Sequence, residues 1–496
     1  MRTRHTRRRT ISVVGLAAFL ACAPAWAQQP ESVPSEDIDL AGTTRIESDR
    51  DNNFGPPIVI EAIEVVGNTT TAQRIIIRAL PFAVGDAMHA GDARLRAARV
   101  KVLALGFFRS VEPIRLRRGS KRGRVIATVE VSERGTVILN RMWFGRSQQT
   151  PWWVGLDATE RNLLGTGLAV GGGFVIAEKG QAQGSRTQRA LELRVADSSI
   201  LGSQIGIFGS LHRVRASEPY RVSGAPSDAR PTGFRAFDYS RLGGRLGLGV
   251  ALSPLSRLTI GTRYEHVDTD LPELPTRDFP DGSVSAIDLF LGSGISSIVT
   301  ASVGFDRDTR SDPVLSYDGH RVQLHGELGT GLLGSSYDFG VLLAKYERWW
   351  SLRSPQHVVS LHLTAGLLTG HAPRFDRFHA GDLNRLVTPR VLGLVVSTYP
   401  ARDVFNTGAN EVTYGTVGGV AEVQYAYRLF RRSRFIYGGD LFVGLGLWGL
   451  TSAEVRSQPA TKAFPLDILV DVGLRLDTEV GIFELSFANG LGRIPF

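Results

Sequence analysis

The amino-acid sequence predicts a small α+β domain followed by a transmembrane antiparallel β-barrel of about 16 strands. Three observations carry that reading. Within residues 58–131 apolar residues run with a strand period, then a helical one, then a strand period again, as in a compact domain with its own core. After Thr136 glycine becomes frequent and apolar residues alternate with charged ones over many stretches. No apolar run there approaches the roughly 18 residues that a spanning helix needs.

Met1 to Ala27 reads as a signal peptide. Arg2, Arg4, Arg7, Arg8 and Arg9 form its basic end, Ile11 to Ala21 its apolar run, and Ala25-Trp26-Ala27 its cleavage site. Cys22 is the only cysteine, and Phe19-Leu20-Ala21-Cys22 imitates a lipoprotein processing site, so a lipidated N-terminus stays open. Cleavage after Ala27 is the preferred reading. It leaves no thiol for a disulfide or for catalysis. The formal charge of +9 includes the five leader arginines, which leaves +4 and makes nucleic-acid binding an unnecessary hypothesis. Residues 28–57 are acidic and proline-containing with little apolar periodicity, the composition of a disordered linker.

Residues 58–133 then form a domain. Ile58 to Asn68 has the β-branched richness of a strand and stops at the turn signal Gly67-Asn68. A helix follows with Thr70 or Thr71 as its N-cap and Ile75, Ile76 and Leu80 on one face. Pro81 ends it, Gly85-Asp86 turns, and Asp92 caps a second helix carrying Leu95, Ala98, Val102 and Leu105. Gly106-Phe107 leads into a hairpin of 109–117 and 124–131 around a loop at 119–123. The order strand, helix, helix, strand, strand resembles a polypeptide-transport-associated (POTRA) domain. The residues carrying the resemblance include Ile63, Val65, Gly67, Asn68, Thr71, Gly85, Asp86, Leu103, Gly106, Phe107 and Val111.

Residues 136–496 read as barrel. Ala421, Val423, Tyr425, Tyr427 and Leu429 alternate with Glu422, Gln424 and Arg428, and Phe483, Leu485 and Phe487 with Glu484 and Ser486. A barrel with lipid outside and water inside accounts for both faces and leaves no open edge. Trp143-Phe144, Trp152-Trp153 and Trp349-Trp350 stand near strand ends as candidate interface girdle residues, and Phe496 as a C-terminal strand signal. Fifteen strand candidates can be counted. Bacterial barrels usually have an even number, so sixteen is expected.

A POTRA domain before such a barrel resembles the outer-membrane assembly and two-partner-secretion superfamily, the BamA, TamA and TpsB type with a bacterial surface-antigen barrel. Asn162-Leu163-Leu164-Gly165-Thr166-Gly167 is similar to its early N-L-x-G-x-G hairpin, and Gly473 to Gly481 to a late one. After Gly481 the family usually has two more strands, whereas this chain leaves room for one. In the region from Phe375 to Tyr414 the family threads a loop into the lumen, with an arginine in V-R-G-F/Y paired to a carboxylate in F-x-D-x-G. Here Val391-Leu392-Gly393-Leu394 and Phe442-Val443-Gly444-Leu445-Gly446 change both charged positions together. Arg390 and Asp440 stand nearby and point to the same sides as the residues they would replace, so a displaced Arg390–Asp440 pair is expected to hold the loop; two unrelated solvated lumen charges are the alternative.

No H-E-x-x-H, G-x-S-x-G or P-loop is present, and Gly444 to Gly449 spells G-x-G-x-x-G inside a strand candidate rather than before a helix. No enzyme, cofactor or metal is expected. The resemblance implies an outer-membrane protein whose periplasmic POTRA domain captures unfolded outer-membrane or secreted polypeptides, which the barrel then inserts or assembles. Outer-membrane lipids, and periplasmic chaperones or accessory lipoproteins, are the other implied partners. Two-partner secretion of an exoprotein and a passive porin-like barrel are the alternatives.

Overall fold

The computed structural model describes residues 56–147, 149–197, 200, 205–224, 230–253, 255–311, 315–383, 390–396, 414–431, 436–452, 466–478 and 481–490. The leader with Cys22, nearly all of the linker, and Phe496 lie outside the described residues.

The first domain has the expected order. Strand β1 (Ile58–Val66), helix α1 (Gln73–Ala79), the short β2 (Ala87–Met88) and helix α2 (Ala93–Ala104) are followed by β3 (Phe108–Val111), β4 (Arg115–Arg118) and β5 (Arg124–Glu133). Strand β5 is central: β1 lies parallel to it on one side, and β3 and β4 lie antiparallel on the other. Ile60 and Ile63 of β1, Ile75 and Ile76 of α1, Ala98 and Val102 of α2, and Ala127 and Val129 of β5 close the core. Asp92 caps α2 as expected, accepting the Arg94 N–H at 2.8 Å. Two expectations need correcting. The single strand expected at 109–117 is two, because Pro113 has no N–H to give the ladder. No threonine caps α1, whose N-cap is Ala72; the amides of Thr69, Thr70 and Thr71 turn to a carboxylate elsewhere.

The barrel sheet contains fifteen strands among the described residues, each antiparallel to the next. In order they are β6 (Val137–Gly145), β7 (Trp153–Glu160), β8 (Leu168–Ala177), β9 (Gln188–Asp197), β10 (Ile205–Arg221), β11 (Phe234–Ser253) and β12 (Ser256–Asp270). A surface hairpin of β13 (Thr276–Asp278) and β14 (Val284–Ala286) interrupts before β15 (Gly294–Asp308), β16 (Gly319–Gly329), β17 (Phe339–Leu352) and β18 (Ser354–Gly370). Then comes a long inserted loop holding β19 (Phe378–His379), α3 (Ala380–Leu383), β20 (Arg390–Val391), β21 (Leu394–Val395) and β22 (Tyr414–Gly415). Strands β23 (Val417–Arg431), β24 (Ile436–Thr451), β25 (Leu466–Thr478) and β26 (Gly481–Gly490) complete the wall. Each strand candidate in the sequence corresponds to one of these fifteen.

The two faces are as the alternation required. Along β24, Leu441, Val443, Leu445 and Leu447 are exposed, while Phe442, Gly444, Gly446 and Trp448 point inward and are buried. No described helix is long and apolar enough to cross a membrane. The aromatic pairs do not act as pairs. Phe144, Trp152 and Trp350 face out, whereas Trp153 is buried inside and Trp143 and Trp349 pack against buried residues. Neighbours on a strand must point to opposite faces, so each pair yields one girdle residue.

Candidate functional site

Three contacts give this barrel its working parts: the junction with the first domain, the loop in the lumen, and the seam between the first and last strands.

At the junction, one carboxylate organises the entry to α1. Glu133, at the end of β5, accepts the N–H groups of Thr69 at 3.0 Å, Thr70 at 2.9 Å and Thr71 at 2.7 Å, and the Thr69 hydroxyl at 2.5 Å. Burial alone would raise its pKa, but these hydrogen bonds to the charged form outweigh burial and hold it at about 2. The same threonine segment meets the β7–β8 turn. Asn162 donates to Thr71 Oγ1 at 2.8 Å and accepts the Gly167 N–H at 2.8 Å, while the Ala72 N–H donates to Gly165 O at 2.9 Å. Gly165 has φ +72°, and a Cβ there would fall 2.0 Å from Thr70 O. Only glycine lets turn and domain approach this closely. Asn162 and Gly165 of the N-L-x-G-x-G hairpin therefore dock the domain. The domain-motif residues serve turns and core: Gly67 has φ +89° with its Cα against Val131 O, Asn68 donates to Thr71 O at 2.9 Å, Asp86 accepts from Ala83 N beside Gly85 (φ +97°), and Gly106 (φ +78°) ends α2 next to buried Phe107. Between domain and wall lies a cavity of about 700 Å³, lined among others by Leu105, Phe107, Arg161, Asp306 and His325.

The loop between β18 and β23 folds back into the lumen and is held at its start. Three consecutive side chains reach three consecutive strands. Arg374 donates to Glu218 of β10 and lies 4.6 Å from the Tyr414 ring centroid. Phe375, 2% exposed, sits 5.6 Å from the Tyr239 ring of β11, with the Arg241 guanidinium 3.9 Å over its own ring. Asp376 accepts two bonds from Arg263 of β12, at 2.9 and 2.7 Å. Arg263 also reaches Glu327 of β16 at 2.8 Å and Glu265 at 3.2 Å, and Glu265 takes Arg241 at 2.8 and 3.0 Å. Every charge in this set has an opposite one in contact, which burial demands. Phe375, Phe378, Leu383, Val391, Leu394 and Val396 then pack with Trp153, Val214, Ile298 and Trp448 of the wall into one apolar cluster inside the barrel.

The expected loop-tip motif is where it was sought, but its pairing is not. Leu392 and Gly393 form a two-residue turn between β20 and β21, with φ +45° and +83°. Val391 is buried in the cluster, and Leu392 leans against Gly173 of β8. Arg390 donates to Asp382 at 2.9 Å and to the Phe375 carbonyl, tying the returning limb to the anchored one. Asp440 is 3.6 Å from Arg475 of β25. The displaced Arg390–Asp440 pair is therefore not formed, because Arg390 bonds within its own loop and Asp440 belongs to the β24–β25 ladder. At Gly444 a Cβ would lie 1.9 Å from an Asp471 oxygen and 3.0 Å from one of Glu422. Carboxylates on both neighbouring strands occupy that place, and an aspartate at 444 would add a third like charge.

At the seam, β26 and β6 meet edge to edge. The Gly481 backbone touches that of Leu139, since a Cβ on Gly481 would fall 2.5 Å from Leu139 O. Among the described residues no ladder joins the two strands. With fifteen alternating strands β6 and β26 run in the same direction, and parallel pairing is slightly weaker per residue.

These features define a class: a transmembrane β-barrel with a docked N-terminal α/β domain, a loop folded into the lumen and a nearly closed seam. A model of the Omp85 superfamily domain matches residues 162–494. The chain belongs to the Omp85 superfamily, and is thus an outer-membrane β-barrel protein of the Gram-negative type. Its fold is similar to BamA from Haemophilus ducreyi lacking POTRA domains 1–3, at TM-score 0.51 and 15% identity over 88% of this chain and 82% of that one. It is similar also to CdiB from Acinetobacter baumannii (TM-score 0.53, 10% identity, 88% and 70% covered) and CdiB from Escherichia coli (0.51, 11%, 90% and 89%). No curated protein sequence matches the chain.

Sequence reasoning missed Glu133, Arg374, Asp376, Glu218 and Arg263. The only signal for them was a charged residue at an inward strand position, or beside Phe375 at the loop's start.

Proposed function

We propose that this protein captures unfolded polypeptide with residues 58–133, acting as a periplasmic POTRA domain, and assembles it in the outer membrane through the barrel seam. The observation that carries this reading is the pair of edges at Leu139 and Gly481, brought into contact without a ladder among the described residues. An exposed strand edge is a template for a further strand. The docked domain stands beside that edge, because β5 runs into β6 through residues 134–136 only. The reading needs no cofactor. The apolar cluster that fills part of the lumen with the chain's own loop weighs against a passive pore. Secretion of a dedicated exoprotein through the lumen is the second reading, favoured by the cavity of about 700 Å³ between domain and wall.

The test is reconstitution of the purified protein in liposomes with a urea-unfolded outer-membrane barrel added. Faster folding of the client than in empty liposomes supports assembly. Unchanged folding together with steady large conductance in planar bilayers rejects it.

A further inference from the structure

The hairpin joining β4 to β5 has the most concentrated charge on the domain. Of residues 115–124, six are Arg or Lys and none is Asp or Glu. Its shape is fixed. Arg115 pairs with Thr128 and Arg118 with Val125 in the ladder, the Gly119 N–H donates to Arg124 O at 2.8 Å, and the Ser120 N–H donates to Glu61 at 2.8 Å. Arg115 and Arg117 are neutralised by Glu130 and Glu64. Arg118, Lys121, Arg122 and Arg124 are exposed; the Glu61 carboxylate bonded to Ser120 lies within electrostatic reach of Arg124 and Lys121, and Arg118 and Arg122 have no ion-pair partner among the described residues. Beside this fixed positive tip, β4 pairs with β5 alone among the described residues, so its outer edge offers N–H and C=O groups to a further strand.

We propose that the β4 edge and the basic hairpin tip form one docking surface for an extended, acidic polypeptide segment. This rests on the reading that the domain captures polypeptide, and names the class of segment it takes. Main-chain hydrogen bonds to β4 hold the segment as an added strand, and its Asp and Glu side chains meet Arg118, Lys121 and Arg122. The charges that select an acidic strand reject a basic one. They also keep the edges of two copies of this protein apart, the usual guard on an exposed strand.

Anionic lipid is the other source of negative charge. Two observations favour polypeptide. The ten residues of β5 separate the tip from the junction by about 30 Å, several times the Debye length of about 8 Å at physiological salt. The tip, residues 117–124, also has no apolar side chain to enter a bilayer.

The experiment uses the full chain in nanodiscs and fluorescent dodecapeptides of alternating Val with Glu, Gln or Lys, read by anisotropy at 50 and 200 mM salt. The Glu peptide is expected to bind at least tenfold more tightly than the Gln peptide, the Lys peptide not at all, and higher salt to weaken the Glu peptide. R118E/K121E/R122E removes the Glu advantage, while an unchanged circular-dichroism melt shows that the domain is still folded. A Glu peptide with proline at alternate positions binds at least tenfold more weakly, since it cannot give the main-chain bonds. Equal binding of Glu and Gln peptides, or of the proline peptide, overturns the proposal and leaves the capture reading standing. No binding by any peptide overturns both. Binding of phosphatidylglycerol vesicles that R118E/K121E/R122E abolishes, with no Glu preference among peptides, reassigns the tip to lipid and overturns it as well.

Discussion

Glu133 does at one position what a helix cap, a turn and a domain junction usually do separately. Its carboxylate gathers Thr69, Thr70 and Thr71, and the far side of that segment meets Asn162 and Gly165 of the barrel. Glu133→Gln removes the charge from these bonds and is expected to cost about 1–2 kcal/mol, after discounting for partial exposure. Thermal melting of the first domain measures it. The pH dependence has a definite sign. The folded pKa of about 2 lies below the ordinary glutamate value, so the contribution is complete above roughly pH 5 and lost as pH falls towards the folded pKa. The melting-temperature advantage of the parent over Glu133→Gln should therefore fade only as pH descends from about 4 towards 2; an advantage already lost above pH 5 contradicts the assignment. Gly165→Ala attacks the same junction from the barrel side. A Cβ 2.0 Å from Thr70 O, on a backbone with φ +72°, forces the domain away from the turn at a cost of about 2–3 kcal/mol. Faster proteolysis at 134–136, with the barrel still shifting its gel mobility on heating, is the expected result.

At the scale of elements, the lumen loop is pinned near its start rather than at its tip. Arg374, Phe375 and Asp376 occupy β10, β11 and β12 in turn, and Arg390 ties the returning limb to Phe375. Removing one member of a buried pair strands the other, at about 3–5 kcal/mol. Asp376→Arg or Arg263→Asp alone should raise single-channel conductance and lower the melting temperature, and the double exchange should restore only part of both, because it sets an aspartate at 263 beside Glu265 and Glu327. Conductance unchanged in either single variant removes the loop's hold from these residues. None of this was legible in the sequence, for a physical reason. Asp376 and Arg263 are 113 residues apart and Arg374 and Glu218 are 156 apart, and no local period reports contacts across a sheet. The strands themselves were legible, because alternation is a property of each strand alone, as in Ala421 to Leu429. The Arg390–Asp440 expectation failed because same-side geometry on each segment says nothing of which wall the loop meets. The aromatic pairs failed in part because the alternation that identifies strands splits Trp152 from Trp153.

For the whole molecule, the relation between the first and last described strands matters more than the exact strand number. Among the described residues fourteen antiparallel pairs form ladders, some with a bulge, whereas β6 and β26 run in the same direction and meet at Leu139 and Gly481 with no ladder. On the proposed reading this seam is the pair of neighbours that opens to a client. Cys22 is the only cysteine in the sequence, so in a Cys22→Ser background engineered thiols report alone. The most direct measurement places one cysteine on β6 and one on β26 beside the Leu139–Gly481 contact, and follows client folding in liposomes before and after oxidation. Acceleration lost on oxidation and recovered with reductant is the result predicted for assembly through the seam. Equal acceleration with the seam shut contradicts it.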